Sequence, residues 1–172
     1  MKVVVLQGGI GREREISLQS GRCVADALQG GLDVVAADIA PDNLTALDES
    51  DADVFFIALH GEFGEDGRLQ QILDDRGLIY TGSGPEASRL AFDKIASKKR
   101  FADAAVAIPP TVEIAREMSP DDVEARLQGL GDRFVVKPVR QGSSVGVYII
   151  DGLSESAACA LRVRDEFGDC LI

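Results

Sequence analysis

The way the apolar runs of this chain end is the strongest constraint on its fold. "KVVVLQ" (2–7), "LDVVAADI" (32–39) and "ADVFFIALH" (52–60) are too short for buried helices and rich in β-branched residues. The first runs directly into "GGIG" and the third into "GEFGEDG". Helical spacing of apolar residues resumes after each turn. In "REREISLQSGRCVADALQG" (12–30) it predicts that Ile16, Val24, Ala27 and Leu28 face inward. A second helix is expected from about Asp66 to Arg76, a short strand at "LIYTG" (78–82), and a further helix from Pro85. Short strands separated by helices cannot be joined as hairpins. The fold class is therefore α/β, with an open parallel sheet and helices on both faces.

After "IPPT" (108–111) the pattern changes. "MSPDDVEARLQGLG" has the signals of a short helix: Ser119 as cap, Pro120 in the first turn, Asp121 and Asp122 at the positive end of the dipole, and Gly131 as a stop. "RFVVKP" and "VGVYIID" read as two strands around the glycine-rich loop "VRQGSS", Leu153 and Ser154 open a last helix, and "DCLI" starts another strand. This is a small α+β lobe. Residues 1–97 are expected to form one domain and residues 98–172 the first part of another.

A net charge of −11 argues against a broad nucleic-acid surface or an anionic membrane patch. The imbalance is local: Cys23 to Gly67 holds eleven acids and no Lys or Arg, whereas "KIASKKR" (94–100) is basic. Cys23, Cys159 and Cys170 are odd in number and lack zinc-type spacing, and read as reduced core thiols. No stretch is long and apolar enough to span a membrane, and the first apolar run is too short for a signal peptide. The expected location is the cytoplasm.

Ligands of open α/β sheets bind outside the carboxyl ends of the strands. "GGIGRERE", "HGEFGEDG" and "TGSGPEAS" all fall there. Gly9 and Gly11 could begin a dinucleotide fingerprint, but Arg14 stands where the third glycine must let helix and strand pack closely. An ordinary βα turn explains this stretch equally well. Glu13, at a helix start, is suited to stay ionised and hold an ammonium group. His60, the only histidine, is compatible with a hydrogen-bonded turn residue or with one facing the ligand crevice. With no second His or Cys nearby, a metal site is disfavoured. Glu65 and Asp66 are expected to cap the next helix, and Lys98, Lys99 and Arg100 to form a solvated face, while Lys94 can reach back toward the crevice. Lys137, at the end of a buried strand, is costly unless its charge is used. The nearby "GSSVG" (142–146) has a phosphate-cradling composition without being a Walker A loop.

"GGIGREREISLQSG", "ALHGEFGEDGRLQQIL", "YTGSGPEASRLAFDK" and "FVVKPVRQGSSVGV", in this order, resemble the D-alanine–D-alanine ligases of the ATP-grasp superfamily. The resemblance covers the whole chain. Ile10 and Gly11 depart from it, since the family usually has a small hydroxyl residue followed by Ser at these positions.

The resemblance implies that residues 1–97 are the amino-terminal domain of such a ligase and residues 98–172 the first lobe of the ATP-grasp unit. ATP would phosphorylate a first D-alanine, and the amine of a second would attack the acyl phosphate, giving a peptidoglycan precursor. Glu13 would grip the ammonium of the first D-alanine, His60 would lie near its carboxylate, and Ser143 would join the Glu13 network. Lys94 and Lys137 would contact the ATP phosphates beneath Gly142, Ser143, Ser144, Val145 and Gly146. The Mg2+ ligands of the family lie beyond the stretch that corresponds to this chain, so no metal ligand is expected in it. The expected partners are D-alanine and ATP, with a homodimer as the expected assembly and no nucleic acid or membrane. Three other readings are a ligase using D-lactate or D-serine as second substrate, a dinucleotide-dependent oxidoreductase, and a non-catalytic binding or dimerisation module.

Overall fold

Along Lys2–Gly8 (β1) successive side chains point to opposite faces of a sheet, and both faces are covered. Val3 and Val5 pack with Ala25, Ala58, Val24 and Leu28 on one side. Val4 and Leu6 join Ile39, Phe55, Leu59, Phe63, Leu69 and Leu73 on the other. The computed structural model describes residues 1–172 and divides into two units, Met1–Phe92 and Asp93–Ile172.

In the first unit β1 lies between Asp33–Ile39 (β2) and Val54–Ile57 (β3), parallel to both, in the order β2-β1-β3. Arg14–Leu28 (α1) covers the Val3/Val5 face, and Arg68–Asp75 (α2) supplies Leu69 and Leu73 to the other. The expected parallel sheet with helices on both faces is thus present. Pro85–Phe92 (α3) completes the unit.

Three expectations for this unit are corrected. The buried stripe of α1 is Ser17, Gly21 and Ala25, flanked by Val24 and Leu28, whereas Ile16 is 50% exposed and Ala27 lies outside the core. The stripe is small because the helix lies close to β1. A Cβ on Gly21 would collide with the Gln7 side chain. "LIYTG" does not form a full strand. It contributes one parallel bridge, Phe55 to Tyr80, while Thr81 Oγ1 accepts from the Ile57 amide at 3.1 Å where a further main-chain bond would be. Cys23 is exposed rather than in the core, because it falls on the outer face of α1.

The second unit begins with Lys94–Asp103 (α4), capped by the Asp93 carboxylate, which accepts from the amides of Ile95 (3.0 Å) and Ala96 (2.9 Å). Its sheet has the order β4-β7-β5-β6, formed by Glu113–Ile114 (β4), Arg133–Pro138 (β5), Tyr148–Asp151 (β6) and Cys170–Leu171 (β7), all paired antiparallel. Pro120–Leu127 (α5) and Leu153–Phe167 (α6) cover one face, where Phe134 and Val136 meet Val123, Leu127, Ala160 and Val163. Alternation turns Val135 and Lys137 to the opposite face, with Val135 43% exposed and its neighbour Ile149 69% exposed. Ser119 caps the helix as expected, and Asp122 goes beyond its expected dipole role by closing a capping box with it. The helix stops earlier than Gly131: Gln128 already leaves helical geometry, and Gly129 follows at φ +83°. "VGV" (145–147) belongs to the loop, so β6 starts only at Tyr148.

Candidate functional site

In the first unit the start of α1 is tied to the ends of two strands. Ser17 Oγ accepts from the Gly8 amide at 2.9 Å and donates to the Ala58 carbonyl at 3.0 Å. One hydroxyl thereby bridges the carboxyl ends of β1 and β3, and places the helix start beside both loops. Glu13 sits at the helix N-cap position, only 4% exposed, without a capping hydrogen bond or an ion pair. Gly61 packs directly against its carboxylate, so that a Cβ there would overlap Glu13 Oε1. At +69° the φ of Gly61 also lies in the region open to glycine.

His60 precedes that glycine, and its Nε2 lies 2.9 Å from Ser20 Oγ. Seven residues separate Glu13 from Ser20, close to two helical turns, so both project from one face of α1. The acids that follow His60 brace the loop. Glu65 accepts from the Gly61 amide at 2.7 Å, and Asp66 accepts from the amides of Phe63 (2.9 Å) and Arg68 (3.0 Å). Neither is the N-cap of α2: that place belongs to Gly67 at φ +85°, without a side-chain cap. The non-glycine Phe63 is held at φ +72° with its ring 1% exposed, showing how firmly this loop is fixed.

Arg14 contradicts a dinucleotide site in a second way. Its guanidinium pairs with Asp38 near the end of β2, NH1 to Oδ1 being 2.9 Å, and also donates to the Gly9 carbonyl at 3.0 Å. An acid at that strand end would have to be available for a ribose hydroxyl. In this chain it is held by the arginine.

In the second unit Lys137 faces a cleft of ≈ 320 Å³. Val135, Pro110, Leu171 and Ile172 supply apolar walls, and Lys98 shares it. Lys98 is the residue that sequence reasoning missed. Helix α4 turns it toward the cleft instead of outward, where its ammonium donates only to the Pro109 carbonyl at 3.3 Å. Burial lowers its pKa, and the neighbouring charge of Lys137 adds to the effect. Position i+4 from Lys94 was the available signal.

Lys94 reaches the start of the glycine loop. Its ammonium donates to the carbonyls of Val139 (3.1 Å) and Gln141 (2.6 Å), where the glycine loop begins. The same point is held by Arg140, which bonds Asp93 at 2.7 and 3.0 Å and Asp169 at 3.0 Å. The Asp93 carboxyl, pushed up by burial, is pulled below its ordinary value by the Ala96 amide, Arg140 and the Ile95 amide together. Beyond this anchor Ser143 and Ser144 adopt left-handed conformations (φ +47° and +63°), and the Val145 amide returns to the Gly142 carbonyl at 2.9 Å. Gly146, at φ +68°, packs against Pro138 and Phe167 so closely that a Cβ would meet Pro138 Cγ at 2.7 Å. Successive left-handed residues leave backbone N–H groups available, the arrangement that cradles anions. No group of three or more His, Cys, Asp or Glu side chains is arranged to hold a metal ion. No helix is long and apolar enough to cross a membrane.

A family profile described as the N-terminus of D-ala D-ala ligase matches residues 41–83. The chain is 45% identical over 151 residues to a D-alanine–D-alanine ligase of Desulforudis audaxviator, an alignment covering 87% of this chain and 49% of the relative. It is also 45% identical to one from Thermotoga petrophila, covering 100% of this chain and 55% of the relative. The crystal structure of a D-alanine–D-alanine ligase from Bacillus anthracis superposes with a TM-score of 0.81 at 29% identity, over 99% of this chain and 56% of that one. The chain therefore spans about half the length of the relatives it matches. In sequence and in fold, it corresponds to the amino-terminal half of the D-alanine–D-alanine ligases.

Proposed function

We propose that this chain contributes the first D-alanine site and the phosphate-binding lobe of an ATP-dependent D-alanine–D-alanine ligase. One observation carries the reading: Glu13 is a buried residue, 4% exposed, at the start of α1, and its carboxylate has neither an ion pair nor a capping bond. A buried carboxylate without a cation is costly unless a ligand supplies one. The ammonium of a small amino acid fits that role, and Gly61 lets the loop lie directly against the carboxylate. His60, on the same loop, faces the carboxylate of that amino acid.

The other substrate is ATP. Lys137 carries the fixed positive charge of the cleft, and the loop of Gly142, Ser143, Ser144, Val145 and Gly146 folds over the phosphates, with the Val145 amide kept on the Gly142 carbonyl as the brace of its turn. Lys94 serves the same phosphates by holding the start of the loop through its two carbonyl bonds, and exchanges them for phosphate oxygens when nucleotide arrives. In the reaction, the γ-phosphoryl group passes to a carboxylate oxygen of the first D-alanine and leaves ADP. The amine of the second D-alanine then attacks the acyl carbon, loses a proton, and expels phosphate as the amide bond forms. Preorganised donors stabilise charge in such transfers, and closure excludes water. No three carboxylate, His or Cys side chains of this chain are grouped as metal ligands. The product serves peptidoglycan precursor synthesis in the cytoplasm, and the assembled enzyme is a homodimer.

The test joins residues 1–172 to the carboxyl-terminal half of a related ligase. The chimera should release phosphate only with ATP and D-alanine together, and D-lactate or D-serine as second substrate should give less product. Lys137→Ala should weaken ATP by about 10-fold or more, because a charge-assisted contact of roughly 1.5–3 kcal/mol is removed, and D-alanine far less. Loss of D-alanine affinity with ATP affinity unchanged would refute the assignment of Lys137.

A further inference from the structure

His60 is held at one nitrogen only. Nε2 lies 2.9 Å from Ser20 Oγ, and Nδ1 has no hydrogen bond. A serine hydroxyl in a helix usually spends its proton on the carbonyl four residues back. Ser156 does so, donating to the Gly152 carbonyl at 2.6 Å, and Ser17 donates to the Ala58 carbonyl at 3.0 Å. Ser20 makes no such bond, and its only side-chain partner is the imidazole. An unprotonated ring nitrogen is a much stronger acceptor than a hydroxyl oxygen, and a hydroxyl that serves no carbonyl has its proton to give, which favours a bond from oxygen to nitrogen.

We infer that Ser20 is a positioning residue for His60: its hydroxyl donates to Nε2 and fixes the neutral imidazole as the Nδ1–H tautomer. Which ring nitrogen carries the proton is set by the bond made at the other. The consequence rests on the reading of His60 as facing the substrate carboxylate. An Nδ1–H tautomer presents an N–H donor to an anionic oxygen without the ring having to be protonated. Helix α1 then supplies both ends of one recognition device, Glu13 for an ammonium and Ser20, through His60, for a carboxylate.

Because His60 is the only histidine, its ring gives one isolated spin system in the 172-residue chain. Long-range proton–nitrogen correlation spectra of the 15N-labelled protein, recorded at a pH where the ring is neutral, distinguish the tautomers directly. The expected spectrum has Nδ1 protonated and Nε2 bare. Ser20→Ala should shift the population toward the Nε2–H form, and Ser20→Thr, which keeps the hydroxyl, should restore the parent pattern. An Nε2–H ring in the parent protein would overturn the inference, as would a tautomer unchanged in Ser20→Ala. If circular dichroism shows Ser20→Ala unfolded, Ser20→Cys, a weaker donor, is read in its place, and an unchanged ratio there overturns the inference equally. Titration of D-alanine into the same sample tests the underlying reading separately. Saturable movement of the His60 signals supports it. Immobile signals, with the Ser20 effect intact, remove His60 from the substrate site and leave the positioning role standing.

Discussion

Glu13 and the cysteines show opposite uses of burial at the scale of single residues. Glu13 is a buried residue whose carboxylate has no cationic partner, an arrangement that works against stability. Glu13→Gln keeps the shape and removes the charge, so it should stabilise the chain, by roughly 1 kcal/mol in urea unfolding, while abolishing D-alanine binding. A gain in stability with loss of ligand is the mark of a group retained for function. A less stable Glu13→Gln would instead make Glu13 a structural residue. Two of the three thiols are buried without such tension. Burial pushes Cys170 up to about 12, so its reactive thiolate is scarce at neutral pH, and Cys159 is buried beside it in the same core, while Cys23 is exposed. A thiol reagent at pH 8 should therefore modify one cysteine rapidly, Cys23, and reach the other two only after denaturant is added. Rapid modification of Cys170 in the native protein would contradict this packing.

At the scale of elements, α1 is fitted to β1 more tightly than its sequence suggests. Gly21→Ala in an ordinary helix interior would gain up to about 1 kcal/mol in propensity. Against β1 the new Cβ would meet Gln7 Cβ at 2.5 Å, and overpacking costs roughly 1–3 kcal/mol. Net destabilisation of about 1 kcal/mol is expected, whereas Gly30→Ala, with nothing within 4 Å, should be neutral or slightly stabilising. Equal unfolding midpoints for the two variants would show that Gln7 yields freely. The element order and the parallel sheet were legible because the runs around Val3–Leu6 and Val54–Ile57 alternate with helical spacing, and Ser119 announced its capping box. The face of α1 was not legible. A periodicity rule seeks large apolar residues, and so chose Ile16 and Ala27, whereas close packing selected Ser17, Gly21 and Ala25. "LIYTG" failed as a strand because Thr81 substitutes its hydroxyl for a ladder bond, which no propensity records. At the site, Glu13, His60 and Lys137 stood out by type and place, but Lys98 was hidden in a run of charges whose facing only the fold decides.

For the molecule as a whole, charge decides what 172 residues can do with a nucleotide. ATP brings about four negative charges to a protein whose own net charge is −11. In the cleft, Lys98 and Lys137 are cations without a carboxylate partner, since Arg133, which also lines it, is committed to Asp151 at 2.6 Å. Two lysines and a loop of amides can hold a triphosphate weakly, but the charge that develops during phosphoryl transfer requires further cations on the β- and γ-phosphates. No cluster of carboxylates in the chain is arranged to bring them. The chain also matches only 49–55% of the length of its ligase relatives. These residues by themselves should therefore bind ATP with a Kd on the order of millimolar, the range expected when only a few charge-assisted contacts are made. With ATP, magnesium and D-alanine they should release no phosphate above background. Lys137→Ala should abolish the residual ATP binding, and raising salt should weaken it, because the attraction rests on charge and the cleft screens it only in part. Joining the chain to a ligase carboxyl-terminal half should restore D-alanine-dependent phosphate release and tighten ATP at least 10-fold. Sustained D-alanine-dependent phosphate release from the 172 residues alone would show that side chains outside the proposed site carry the missing charge.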